Sequence, residues 1–238
     1  MVTHLTPEIV EHIIKKAYDE SRSVLLEPEA KGVCVAYRIP TPEYRVAQDP
    51  IEAIGLAEAV GFPVVLKIIS RDILHKTEAG GVIVGLNSKD HIKDAYNQII
   101  ANANAYNEMA HIDGILVQHM APKGVEVIVG GLRDSQFGPT VLFGLGGIFV
   151  EVLKDASFRV APISDLDSRQ MIREIRSYSI LTGARGGGAS DETAIVQILQ
   201  ATSEIMLDNP EIQQVDLNPV MVYGKGATVV DARMILSK

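Results

Sequence analysis

Asp216 and Asn218 stand two residues apart in the largely apolar run from Gln213 to Val222, and a second run, Ala227 to Arg233, carries Asp231. Residues i and i+2 of a strand face the same side, so Asp216 and Asn218 point one way while Val215 and Leu217 take the other. If Tyr223-Gly224-Lys225-Gly226 forms a hairpin turn, Val222 pairs with Ala227, and counting back places Asn218 opposite Asp231. Three oxygen-bearing side chains then converge, a hard and sparse donor set that suits a magnesium ion keeping some waters and bridging nucleotide phosphates. The same alternation also describes a solvated sheet face, and a slip of one residue would turn Asp231 to the opposite side.

Lys67 lies in Val64-Val65-Leu66-Lys67-Ile68-Ile69, a run too apolar for a surface strand. Burying its ammonium is costly unless an anion such as a phosphate meets it, although a lysine at a strand edge can also snorkel to water. Just downstream, Glu78-Ala79-Gly80-Gly81 can bring backbone N–H groups, those of Gly80 and Gly81 among them, to phosphate oxygens. His75 opens the same stretch. An imidazole there can act as a nucleophile and form a phosphoramidate whose phosphoryl group transfers readily, or it can simply bond loop backbone. Glu126 follows Lys123-Gly124 on an apolar strand, where its carboxylate suits a ribose hydroxyl, a metal or a plain strand edge. The remaining histidines, at positions 4, 12, 91, 111 and 119, have no metal-ligand spacing.

Elements that position these groups follow from periodicity and punctuation. Thr6-Pro7 starts a helix with the stripe Ile9, Val10, Ile13, Ile14 and Ala17; Asp49-Pro50 starts a second that stops at Gly61. Between them, Leu26 to Val46 reads as a short apolar run and a proline-bearing connector. Ser88 begins a long helix, Ser164 or Asp167 caps another near 167–179, and Ser190 begins the last. Strands are expected at 64–69, 82–84, 115–119, 125–132, after the Gly144-Leu145-Gly146-Gly147 loop, at 213–222 and at 227–233. Helices and strands intermingle without regular βαβ alternation, which points to the α+β class.

Composition narrows the function. With 238 residues, 47% of them apolar, the chain can bury a substantial core as one large or two small domains. Thirty acidic against 22 basic residues give a net charge of −8, which repels a phosphate backbone and argues against nucleic acid as partner. Cys34 is the only cysteine, so neither a disulfide framework nor a cysteine metal site can form. There is no signal-peptide core and no apolar run long enough for a bilayer, so a cytoplasmic protein with no membrane association is expected.

The chain also carries ordered blocks: Glu27-Pro28-Glu29-Ala30-Lys31, Gly61 to Lys67, Leu74-His75-Lys76-Thr77-Glu78-Ala79-Gly80-Gly81-Val82, Val127 to Asp134, Phe143 to Gly147, Phe158 to Pro162 and Val215-Asp216-Leu217-Asn218-Pro219. In these, from Leu26 to Met234, it resembles the β subunit of archaeal-type ADP-forming acetyl-CoA (acyl-CoA) synthetases, related to the ATP-grasp part of succinyl-CoA synthetase. The resemblance implies an ATP-grasp fold, two α+β lobes enclosing the nucleotide: an N-terminal helix over 1–25, a first lobe region over 26–112 and a second lobe over 113–238. It places Lys67 on the phosphates of ATP or ADP, Gln118 to Met120 beside adenine, and Glu126 at the nucleotide. Asn218 and Asp231 match the family's magnesium-binding pair, with Asp216 assisting or positioning His75.

It further implies that a partner α subunit forms an acyl phosphate from acyl-CoA and phosphate, captures the phosphoryl group on its own histidine and passes it to His75, which hands it to Mg-ADP. No CoA-binding Rossmann unit is visible in this sequence, so the partner is expected to supply it, in an α2β2 assembly. An ATP-grasp carboxylate–amine ligase would use the same nucleotide groups without a reactive histidine or a partner. A nucleotide-sensing module would bind without transfer. The stretch Gly183 to Gly188, with Arg185, is compatible with phosphate binding, partner docking or a plain loop.

Overall fold

The computed structural model describes residues 5–73, 75–147, 154–184 and 188–237; for residues 5–7 only the backbone is described. It divides into two units, residues 42–121 and residues 1–41 with 122–238. Residues 26–41, expected with the first lobe region, thus belong with the C-terminal part of the chain, and 113–121, expected with the second, belong to the smaller unit.

In the smaller unit the elements are β1 (Tyr44–Ala47), α1 (Pro50–Val60), β2 (Val64–Ser70), β3 (Val82–Leu86), α2 (Ile92–Tyr106) and β4 (Ile112–His119). The strands form an antiparallel sheet in the order β1-β4-β2-β3. Asp49 starts α1 by accepting from the N–H groups of Ile51 (2.8 Å) and Glu52 (2.9 Å), and Pro50 occupies a position whose N–H has no helical partner. Gly61, with φ of 91°, ends it as expected. Val64, Leu66 and Ile68 pack with Ala53, Ala57, Ile92, Ile99 and Ala103 of the helices. Val65, Lys67 and Ile69 alternate onto the other face of β2 and are buried as well, which is why this strand reads as a continuous apolar run.

The larger unit contains α3 (Leu5–Asp19), α4 (Glu27–Ala36), β5 (Val125–Asp134), β6 (Gly138–Leu145), β7 (Ala156–Val160), α5 (Asp165–Glu174), α6 (Glu192–Asp208), β8 (Ile212–Val222), β9 (Ala227–Val229) and β10 (Ala232–Leu236). All strand pairs are antiparallel, in the order β10-β8-β5-β6-β7, with β9 also on β8. Helix α6 lays Ile195, Leu199, Ile205 and Met206 in one core with Val127, Val129, Phe143, Val215 and Leu217. Arg22 joins α3 to α4 through a bidentate pair with Glu29 at 2.7 and 2.8 Å.

Several expectations need correction. The stretch read as a connector contains α4 and β1; Glu29 caps α4 by accepting from Leu26 N–H at 2.9 Å, and its buried Glu27 and Lys31 pair at 3.0 Å, so no simple apolar stripe marks it. Residues 138–145 form a strand, with Gly144 and Leu145 paired to Ile128 and Val127 rather than looping. The last helix is capped by Asp191, one residue after Ser190, and the final strand is split into β9 and β10. Ser164 is the cap of α5, with Asp167 reciprocating. Among the described residues, no helix is long and apolar enough to cross a membrane.

Asp155 ties the start of β7 to a single-turn segment at 176–180. Its carboxylate accepts from Arg176 N–H and Ser177 N–H, both at 2.8 Å, and from the Ser177 hydroxyl. Burial would raise its pKa, but these hydrogen bonds outweigh that effect and hold it below the ordinary carboxylate value. Asp155→Ala is expected to cost about 3 kcal/mol in denaturant unfolding at pH 7, because two backbone donors lose their partner. Since the folded-state pKa is depressed, the carboxylate's contribution is present above its unfolded value of about 4 and is lost as pH falls through the folded value; the gap to the variant should narrow there.

Candidate functional site

Residues Val215 and Leu217 of β8 are buried, which turns Asp216 and Asn218 to the open face of the larger sheet. Val222 pairs with Ala227, Val220 with Val229, Leu217 with Ala232 and Asp216 with Arg233, a single register that places Asn218 across from Asp231. The Asn218 N–H donates to the Asp231 carbonyl at 3.2 Å, and Tyr223 N–H to the Gly226 carbonyl at 3.0 Å closes the turn. The hairpin expected from the sequence therefore forms in the expected register. On β5, Val127 and Val129 point into the core, so Glu126, Ile128 and Gly130 share the open face with Asp216 and Asn218.

Between Val127 and Val129 of β5, strand β8 advances from Val220 to Leu217, one residue more, so a bulge sits at Asn218 and Pro219. A bulge changes which way the chain's side chains point, and here it coincides with the proposed ligand. Below it the open face forms a depression of about 690 Å³ lined by Ile128, Gly130, Leu142, Phe158, Asp216 and Asn218. Burial pushes the Asp216 carboxyl above its ordinary range; the Arg233 guanidinium draws it down and the Asp231 charge adds to the rise.

An amide oxygen on β8 and, across from it in the break between β9 and β10, a carboxylate, with a second carboxylate two residues from the amide, are hard oxygen donors and fit a magnesium ion that completes its shell with water and phosphate. Among the described residues no cluster of three or more His, Cys, Asp or Glu side chains forms a closed metal cage. A two-ligand site that relies on a nucleotide for the rest has no need of one.

In the smaller unit, Lys67 pairs with Leu116 and Val65 with Gln118, so Lys67 and Gln118 share one sheet face and are 3% and 0% exposed. His119 N–H donates to the Glu43 carbonyl (2.9 Å) and Met120 N–H to the Pro63 carbonyl (2.8 Å), fixing the backbone after β4. His75 begins a one-turn segment in which Ala79 N–H donates to its carbonyl at 3.1 Å. Gly80 N–H donates to Thr77 and Gly81 N–H to Lys76, with Gly80 at φ 61°, the pattern that closes a helix C-terminus. The Gly80 and Gly81 N–H groups, expected to face phosphate, are thus engaged inside the turn. The His75 side chain is 61% exposed, and its Nδ1 lies 3.8 Å from Glu78 Oε1, too far for a hydrogen bond.

Sequence reasoning overlooked Arg233, although the alternation that orients Asp231 orients it too; its Nε is buried without a hydrogen-bond partner among the described residues. It also overlooked Asn102, whose Nδ2 donates to the Gly80 carbonyl at 2.8 Å, and only a contact distant in sequence identifies that residue. Leu74 and residues 185–187 of the glycine-rich stretch lie outside the described residues.

Residues 16–236 fit the ATP-grasp domain. The β subunit of acetate–CoA ligase [ADP-forming] I from Pyrococcus furiosus is 48% identical over 224 residues, 94% of this chain and 96% of that protein. Acetate–CoA ligase [ADP-forming] I from Archaeoglobus fulgidus is 43% identical over 97% of this chain, which spans 33% of that longer protein. A solved structure of Ca. Korarchaeum cryptofilum dinucleotide forming acetyl-coenzyme A synthetase 1, in complex with coenzyme A, Ca-AMPCP and HgCl+, superposes with a TM-score of 0.94 at 49% identity, covering 95% of this chain and 99% of that one. Of the expectations raised by the sequence, the α+β ATP-grasp fold and the kinship hold, and the chain belongs to the ATP-grasp family of β subunits of ADP-forming acetate–CoA ligases.

Proposed function

We propose that this chain is the nucleotide-binding, phosphoryl-relaying subunit of an ADP-forming acyl-CoA synthetase, which converts acyl-CoA, ADP and phosphate into carboxylic acid, CoA and ATP together with a partner α subunit. The observation that carries the reading is the exposed His75 imidazole on a turn whose far end bonds to β2: the Gly81 carbonyl accepts from Ile68 N–H at 2.8 Å, next to buried Lys67. A nucleophile accessible to a partner thus lies on a turn that is hydrogen-bonded to the strand carrying an ammonium suited to phosphate. In this reading the α subunit supplies the CoA-binding and acyl-phosphate-forming chemistry, and an α2β2 assembly is the stoichiometry we favour.

His75 accepts the phosphoryl group from a phosphohistidine of the partner: the new P–N bond forms as the old one breaks, and the partner's imidazole leaves. In the second step the terminal phosphate oxygen of ADP takes the phosphoryl group and the His75 imidazole is released. Lys67 neutralises charge on the phosphates in a loose transition state, where there is little covalent chemistry beyond positioning and electrostatics. Gln118 and the backbone to Met120 hold the adenine end, and Glu126 the ribose or metal side. Asn218 and Asp231 would hold magnesium, which when bound neutralises phosphate charge, and Asp216 assists from the same face. Gly80 and Gly81 contribute through the turn they close. The nucleotide analogue with a divalent cation in the Korarchaeum relative supports this assignment.

Incubation with Mg²⁺ and γ-labelled ATP, with and without the α subunit, should give an acid-labile, alkali-stable label that maps to His75. His75→Ala should abolish acyl-CoA turnover while nucleotide still binds. Full turnover in that variant would sink the relay; ADP release driven by an amine and a carboxylic acid without a partner would indicate a ligase instead, and binding without transfer a sensor. For the metal assignment, Asn218→Ala and Asp231→Ala should each raise the magnesium concentration needed for labelling by about tenfold or more, and a chelator should stop labelling in the parent protein. Unchanged magnesium dependence would remove these two residues from the site.

A further inference from the structure

The turn that carries His75 spans five residues, from His75 to Ala79, too few to hold a helical shape alone in water. Its C-terminal end is closed by Gly80 and Gly81, and the next external support comes from α2. Asn102 Nδ2 donates to the Gly80 carbonyl at 2.8 Å, and Gln98 Nε2, one helical turn earlier, donates to Asn102 Oδ1 at 2.7 Å. The second bond fixes the sense of the first: with its oxygen occupied by a donor, the Asn102 amide presents its nitrogen to Gly80. Only a residue without Cβ permits the approach, since a Cβ at Gly80 would lie 2.7 Å from Asn102 Nδ2. On the other side, a Cβ at Gly81 would lie 2.5 Å from Ile68 Cγ2, so the turn rests directly on β2 at the residue that follows Lys67, on the opposite face of the strand from the Lys67 side chain.

We propose that Asn102, oriented by Gln98, is a positioning residue for phosphoryl transfer that sets the His75 turn in place relative to Lys67. The assignment rests on the relay reading of His75. In-line attack on phosphorus tolerates little displacement of the nucleophile, and a misplacement of about 1 Å can cost on the order of a hundredfold in rate. Asn102 itself touches neither nucleotide nor phosphoryl group in this scheme; it acts through the Gly80 carbonyl.

Two variants test it in the full chain with its α subunit. Asn102→Ala removes both hydrogen bonds. Asn102→Asp keeps the size and still accepts from Gln98, but sets a carboxylate against the Gly80 carbonyl. Both are expected to lower kcat and the single-turnover rate of His75 labelling from Mg²⁺ and γ-labelled ATP by about 10- to 100-fold, with nucleotide KM within about twofold. Gln98→Ala should fall between them and the parent.

Labelling rates within about twofold of the parent in both Asn102 variants would overturn the assignment, as would a loss that vanishes when rates are expressed per folded molecule. His75→Ala, measured alongside, separates the two claims. If it is inactive while the Asn102 variants are normal, only the positioning role falls; if it turns over normally, the relay fails and the positioning role with it.

Discussion

Burial on one face of β8 governs what the other face presents. Val215, Leu217, Val220 and Val222 are all 1% exposed or less, each worth roughly 1.5–3 kcal/mol relative to exposure. A slip of one residue along β5 or β10 would bring these four out and turn Asp216 and Asn218 into the core beneath α6. The polar array on the open face is therefore held in place by apolar energy on the closed one. The register with β9 and β10 follows from the same demand, because Val229, Ala232 and Met234 must enter the same core. Asp231 needs no attractive contact with Asn218 to face it; strand pairing alone brings them opposite.

The smaller unit solves a different problem, that of keeping a cation in a buried strand. Lys67 alternates with Leu66 and Ile68 onto a face where Leu116 and Gln118 are also buried. A sheet buried on both faces allows such a residue only where polar partners meet it. The His75 turn is built onto the edge of this sheet by backbone hydrogen bonds, two glycines and the buried Ala79, and the imidazole stays in solvent.

Much of this was legible in the sequence, and the reasons are specific. Helix α1 announced itself through Asp49, Pro50 and Gly61, and the β8–β9 hairpin through a period of two with a glycine-bearing turn, both signals that act within a few residues. Helix α4 was missed because Glu27 and Lys31 are buried as an ion pair, so charge lies where a pattern reader expects a stripe. Strand β6 was missed because Gly144-Leu145-Gly146-Gly147 read as a loop, although Gly144 pairs with Ile128 in the middle of a sheet. The use of the Gly80 and Gly81 N–H groups inside their own turn, and the hold of Asn102 on Gly80, depend on geometry that no local pattern encodes. Lys67, by contrast, was conspicuous because one charge interrupted an otherwise apolar strand.

Asp191 divides its carboxylate between two elements. One oxygen accepts from Ala194 N–H at the start of α6, and the other accepts from Gly226 N–H in the β8–β9 turn at 2.8 Å. The helix that covers the sheet and the turn that sets its register are thereby measured against a single side chain. Among natural homologues, such a link should leave the tip free to vary in residue type at Gly224 and Lys225 while holding its length constant, since an insertion there would lift Gly226 away from Asp191. Length variation over evolution should collect instead at connections that no second element gauges, and the hairpin length can serve as a fixed point when distant members of the family are aligned.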